Sequence, residues 1–266
     1  MKTIHRFNLI LTHDVDWPRW GPGVDHILVR RSRFDEDVIV RVLRDGYNPY
    51  FGIPDLMDLE ERFGVRSTFF FRPIYDDGSR IDQYWDVVWD LVRGGWEVGV
   101  HLNSVESFDD VLMGKRFVED VIGSEVVGCR VHYLRIRRSD YWKLRKAGFR
   151  YDSSLKYFKD KVDVRDMGYE VINDVVVFPV TVMDAYLFTY MGVSEEGVVK
   201  VVAEAIEKAR RSGKSFITIL WHDSSIHMKG GRAYVNILEY LTSLDDVRII
   251  RGVDAYRMVK NEISEE

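Results

Sequence analysis

The stretch LILTHDVDWP, residues 9–18, decides how the chain is read. Leu9, Ile10 and Leu11 form an apolar run of the kind buried in a parallel sheet. The run stops at His13, Asp14 and Asp16. A strand that ends in two carboxylates and an imidazole either leaves the protein there or delivers those groups to a site. Along a strand, residues i and i+2 face the same side. Asp14 and Asp16 therefore share a face, and His13 points away from both.

The same grammar recurs along the chain. Segments of strand character, VRSTFFF, WEVGVH, VVGCRVHY, FRYDSSL, VVVFPVTVMD, SFITILWH and VRII, alternate with amphipathic segments that end in glycine. IPDLMDLEERFG, DQYWDVVWDLVRGG, FDDVLMGKRFVEDVIG and RSDYWKLRKAG are of this second kind, and Gly64, Gly123 and Gly148 close helices. Ser194 is placed to cap the helix that runs to Gly213. Repeated strand–helix units imply a parallel sheet covered by helices. Seven or eight of them favour a closed (β/α)7-8 barrel over an open sheet, class α/β. Pro179 inside VVVFPVTVMD predicts an irregular or edge strand. We read residues 1–266 as one domain, with a loop-and-helix excursion at about 18–50.

Composition excludes several function classes. The 266 residues carry 38 basic and 43 acidic side chains, a net charge of −5, which is no nucleic-acid footprint. Arg30, Arg31 and Arg33 read as a solvated face, with an anionic substrate as the alternative. No stretch approaches the roughly 20 apolar residues of a membrane span. The N-terminal apolar run is too short for a signal peptide, so a cytoplasmic location is expected. Cys129 is the single cysteine, so no internal disulfide forms, and its apolar strand makes it core. Gln83 is the sole glutamine beside abundant Lys, Arg and Glu, a bias of proteins from hot environments.

In a parallel barrel the active site lies at the C-terminal ends of the strands. Those ends carry Asp14 and Asp16, Arg72, His101, then Arg130, His132 and Tyr133, then Tyr151 and Asp152, then Asp184, then His222 and Asp223. Ring closure would gather carboxylates and imidazoles in one pocket, the composition of a metal-assisted hydrolytic site. His5, His26 and His227 read as surface or supporting residues. Trp17 and Trp20 can stack on a sugar or pack, and Trp221 reads as core.

The order Asp-x-Asp, Gly-x-His, Gly-x-Arg-x-x-Tyr, Tyr-Asp-Ser-Ser and Leu-x-His resembles the polysaccharide deacetylase family, the NodB homology domain of carbohydrate esterase family 4. The resemblance runs from about Leu11 to His222. It implies a distorted barrel and an acyl-removing hydrolase acting on an N-acylated sugar. Carried over residue by residue, it makes Asp14 the base, Arg130 its partner and His222 the acid. Asp16 and His101 become ligands of a divalent metal, for which zinc is expected. Tyr133, Tyr151 and Asp152 would line or support the substrate pocket, with Trp17 and Asp184 beside them. The expected partner is a small carbohydrate or carbohydrate conjugate.

The chain departs from the family at one place. Four residues after His101, where the pattern has a second histidine, stands Val105. Valine ligates nothing, so His132 is expected as the third ligand, with His13, Asn103 and Ser104 as other possible donors. Two alternatives stay open: a metal-free amidohydrolase, as in allantoinase-like relatives, and an inert carbohydrate-binding module.

Overall fold

The computed structural model describes residues 7–265. Ten strands form one sheet: β1 (Phe7–Val15), β2 (Thr68–Phe71), β3 (Glu97–Leu102), β4 (Gly128–Val131), β5 (Tyr151–Asp152), β6 (Glu170–Ile172), β7 (Val175–Val177), β8 (Val182–Met183), β9 (Phe216–Leu220) and β10 (Val247–Ile250). The order is β6-β7-β5-β4-β3-β2-β1-β9-β8, and β10 adds to β1. Every pairing is parallel except β6 with β7.

The sheet is curled by the segment around Pro179. Its first half, β7, pairs with β5, and its second half, β8, pairs with β9. Between them Phe178 N–H donates to the Asp152 carbonyl, Val180 N–H to Leu155 and Thr181 N–H to Thr218. One chain segment thus spans both ends of the sheet. Pro179 sits where the ladder changes partner, at the point that needs no N–H donor. The expected barrel is seen, with its expected irregular strand.

Nine consecutive buried residues make β1 the centre of the fold. Its alternate faces serve two layers. Leu9, Leu11 and Val15 pack outward against helices that include α3 (Ile53–Arg62), α8 (Val198–Arg211) and α9 (Ala233–Thr242). Ile10 points inward onto Phe70, Tyr151, Phe178 and Phe216, which plug the barrel. Gly99 and Gly128 make room for this plug. A Cβ on either would lie 2.5 Å from Phe70 or 2.1 Å from Tyr151.

The far end of the barrel is sealed by α10 (Gly252–Glu265), which the periodicity did not reveal. Gly252 N–H donates to Thr68 Oγ1 and Val253 N–H to the Glu97 carboxylate, so an acid satisfies the helix N-terminus. The β6–β7 hairpin was also unforeseen. It turns on Asn173 and Asp174, both left-handed at φ 48° and 59°. The excursion contains α1 (Val24–Val29) and α2 (Glu36–Asp45) with a small core of Ile27, Phe34, Ile39, Val42 and Tyr50. Lys229 N–H ties it to the loop after β9 through the Arg33 carbonyl, at 2.7 Å. No helix among the described residues is long and apolar enough to cross a membrane. His5 lies outside the described residues.

Candidate active site

Above the aromatic plug the inward face of the barrel turns polar. Arg130 is fully buried over the Phe70 ring, 4.7 Å from its centroid. Its Nη1 donates to Asp14 Oδ1 at 2.8 Å and to Thr12 Oγ1 at 3.0 Å. Nε and Nη2 are spent on the Ser153 carbonyl and hydroxyl. The guanidinium therefore fixes Asp14 through one oxygen. The other, Oδ2, faces His101 Nε2 at 3.7 Å.

Asp16, one strand repeat further, meets two imidazoles. His101 Nε2 lies 3.0 Å from Asp16 Oδ1 and His132 Nδ1 lies 3.3 Å from it, while the two ring nitrogens are 3.0 Å apart. His101 Nδ1 donates to the Arg130 carbonyl at 3.1 Å, which leaves a lone pair on Nε2 pointing inward. Asp16 Oδ1 is itself a buried oxygen with no hydrogen-bond donor. Lone pairs from one carboxylate and two imidazoles thus converge on one point. That donor set suits a divalent cation of the zinc type.

His222 forms the opposite wall. Its Nδ1 pairs with Asp184 Oδ1 at 2.6 Å, and its backbone N–H donates to Asp184 Oδ2. Nε2 is left facing the cleft, 3.5 Å from Asp16 Oδ2. Burial pulls the imidazole down, yet the Asp184 carboxylate raises it to about 10. Tyr133 stands on the near rim, 67% exposed, its ring 3.9 Å from His132. Tyr133 and Leu134 are both left-handed, at φ 56° and 57°, so the chain after β4 is strained where it meets the site.

The structure brings Asp14, Asp16, His101, Arg130, His132 and His222 together around one cleft. It corrects other expectations. Tyr151 and Asp152 do not touch the pocket. Tyr151 points down into the barrel plug and donates to Glu97 at 2.8 Å. Asp152 points outward, where Tyr141 Oη and the Ser154 amide donate to it. Asp184 is buried and taken up by His222, so it is no substrate contact. Asn103 donates to the Ile74 carbonyl and Ser104 accepts from Glu106, so neither is a ligand. Trp20 projects into solvent at 79% exposure. Trp17 does line a cavity, beside His222.

His13 is fully buried on the outward face. Nδ1 donates to the Trp221 carbonyl and Nε2 meets Glu60 Oε1, both at 2.7 Å. Glu60 also accepts from Ser67, Trp96 and Tyr234. This network locks the ends of β1 and β9 together beneath the site. Sequence reasoning missed Glu60, although its place one turn after Leu56 on the buried stripe of α3 marked it. Lys159, Tyr186 and Tyr190 complete the cleft around Asp16, of about 390 Å³, and no spacing pointed to them.

No family model matches the chain, and no curated protein matches it in sequence. Solved structures do. A Mycobacterium smegmatis protein described as a polysaccharide deacetylase superposes with a TM-score of 0.69 at 19% identity, covering 97% of this chain and 92% of the other. Puue allantoinase gives 0.67 at 16%, covering 97% and 91%. A Pseudomonas aeruginosa PAO1 protein, also described as a polysaccharide deacetylase, gives 0.64 at 16%, covering 97% and 92%. The fold of this chain is therefore the distorted barrel that polysaccharide deacetylases share with an allantoinase.

Proposed function

We propose that the chain is a divergent member of the polysaccharide deacetylase family, a metal-dependent hydrolase that removes an acyl group from an N-acylated sugar. One observation carries the reading. Asp16, His101 and His132 converge between a carboxylate clamped by Arg130 and an imidazole clamped by Asp184. In this reading His132 takes over from the histidine that Val105 replaces. Val105 itself is buried in the apolar core.

Asp16, His101 and His132 would hold the cation, zinc by their chemistry. When bound it supplies a Lewis acid beside the acyl carbonyl and makes water easier to deprotonate. The chain's own groups do the rest. Asp14 Oδ2, the oxygen Arg130 leaves free, takes a proton from the attacking water. The water oxygen bonds to the acyl carbon, and a tetrahedral oxyanion forms. His222 Nε2–H then gives its proton to the nitrogen as the C–N bond breaks. Acetate and a free amine leave. The Asp184 carboxylate keeps His222 protonated until that moment.

A second reading, amide hydrolysis by Asp14 and His222 without metal, is favoured by Val105 and by the allantoinase likeness. The test is acetate release from N-acetylated chito-oligosaccharides, with and without added zinc. Asp14→Asn is expected to lower the rate by about 10²–10⁴-fold. Wild-type rates in Asp14→Asn overturn the assignment of the base. Rates indifferent to chelation and to zinc favour the second reading.

A further inference from the structure

Beside the cleft that holds Asp16 lies a second, larger cavity of about 540 Å³. The two share Tyr133, Ala185 and His222, so a ligand can reach from one into the other past the His222 imidazole. The excursion builds much of the second cavity. Arg30, Arg33 and Lys229 line it with Trp17, His26 and Tyr50.

Its charge is uncompensated. Among the described residues none of Arg30, Arg33 and Lys229 pairs with a carboxylate. Among the described residues the Arg30 guanidinium donates only to the His26 carbonyl, and Lys229 Nζ only to the Ser32 carbonyl. The nearby Asp35 is taken by Arg232 at 2.9 Å. The aromatic wall is also unsatisfied. Tyr50 is 3% exposed and its hydroxyl has no partner; His26 Nε2, shielded from solvent, has none either. Trp17, His26 and Tyr50 pack edge to face with centroids 4.6–5.7 Å apart, which holds both polar atoms in place. Burial and the charges of Arg30 and Arg33 all push the His26 imidazole down, and the same two arginines partly offset burial at Tyr50. Both guanidiniums therefore act on this wall.

We infer that this cavity is a phosphate-binding subsite, and that the substrate acylated at the amide end carries a phosphate ester at the other. Three unpaired cations call for a group with more than one negative charge, and a phosphate monoester brings about −1.5 to −2 near neutral pH. Planar guanidiniums suit its oxygens. Tyr50 Oη and His26 Nε2 add neutral hydrogen-bonding capacity beneath them. Trp17 offers an aromatic face to the sugar between the two ends. The assignment rests on the proposed acyl hydrolysis for the other end of the ligand, but the cations and the unpartnered atoms stand without it.

Binding of inorganic phosphate, acetate, N-acetylglucosamine and N-acetylglucosamine 1-phosphate to the full chain, followed by calorimetry, tests this. The sugar phosphate is expected to bind at least about tenfold more tightly than the neutral sugar, with the advantage shrinking as salt rises. Inorganic phosphate is expected to bind and to compete with the sugar phosphate, and acetate is not. Arg30→Ala/Arg33→Ala should erase the advantage. Lys229→Ala, on a different segment, should reduce it, which guards against a variant that fails to fold. Vesicles of phosphatidylcholine with phosphatidic acid form a further arm. If only they bind, and the arginine variant abolishes it, the phosphate is lipid-borne. Equal affinity for both sugars with no phosphate or vesicle binding overturns the subsite, and so does acetate binding as well as phosphate. Acetate release from both sugars at equal kcat/KM also overturns it while leaving the hydrolase reading intact. Phosphate binding lost in the arginine variant, with no acetate release from either sugar, does the reverse.

Discussion

At the scale of single residues the groups that face the cleft are held in place by groups that do not. Asp184 shows it most clearly. Its carboxylate takes both the ring and the backbone N–H of His222, and the imidazole is raised to about 10. The folded value lies above the ordinary 6.5, so the pair's contribution to stability is complete below about pH 6.5. It is lost as pH rises through about 10. In the proposed reaction the proton destined for the leaving nitrogen is held over the same range. Asp184→Asn keeps the shape and removes the charge. It is expected to move the alkaline limb of the kcat/KM profile to lower pH, with a loss of alkaline stability in the same direction. An unmoved limb means that His222 is not the acid. The sequence showed Asp184 at a strand end but not its partner, because thirty-eight residues separate the two in the chain and only the pairing of β8 with β9 brings them together. His13 was legible in direction alone. Strand alternation turned it outward, and the stripe of α3 marked Glu60 as buried, but nothing in the sequence paired the two.

At the scale of elements, the strands were easy to read and their ends were not. Apolar runs and glycine stops marked β1, β2, β3 and β9, since burial on both faces leaves a strong hydrophobic signal. The hairpin of β6 and β7 escaped because its strands are three residues each and its turn uses Asn-Asp without glycine. Tyr151 and Asp152 were misplaced because β5 is two residues long. One side chain enters the plug and the other meets α6 (Tyr141–Ala147), and neither reaches the rim. The junction of β1, β9 and α3 carries an element-scale prediction. Four donors converge on the Glu60 carboxylate, from His13, Ser67, Trp96 and Tyr234. Glu60→Ala leaves them buried and unpaired. A loss on the order of 3–5 kcal/mol is expected in denaturant unfolding. A loss below about 1 kcal/mol would show that the network does not hold these elements together.

At the scale of the whole molecule, the barrel exists partly to bring distant strands to one rim. The three proposed ligands come from the end of β1, from β3 and from the turn after β4. Their positions 16, 101 and 132 are brought together by the neighbouring strands β1, β2, β3 and β4 of the sheet. This convergence was legible from strand order, since parallel strands deliver their C-terminal ends to one face. The cavity built by the excursion was not: Ile39 and Val42 give α2 a buried stripe, but how the excursion folds depends on the rim it covers. If the proposed site binds a cation, the convergence makes that binding a property of the folded state alone. A cation that binds the native site and not the unfolded chain stabilises by about 2.7 kcal/mol at a hundredfold excess over its Kd. For a chain of this size each kcal/mol moves Tm by about 2–4 °C. Zinc at that excess is therefore expected to raise Tm by roughly 5–10 °C. His132→Ala and Asp16→Ala should each abolish the rise, whereas Val105→Ala, in the apolar core, should lower the starting Tm and keep it. A thermal shift that survives His132→Ala places the cation elsewhere and removes His132 from the ligand set. No shift in the wild type, at any zinc concentration the protein tolerates, leaves Asp14 and His222 to act on water without a metal.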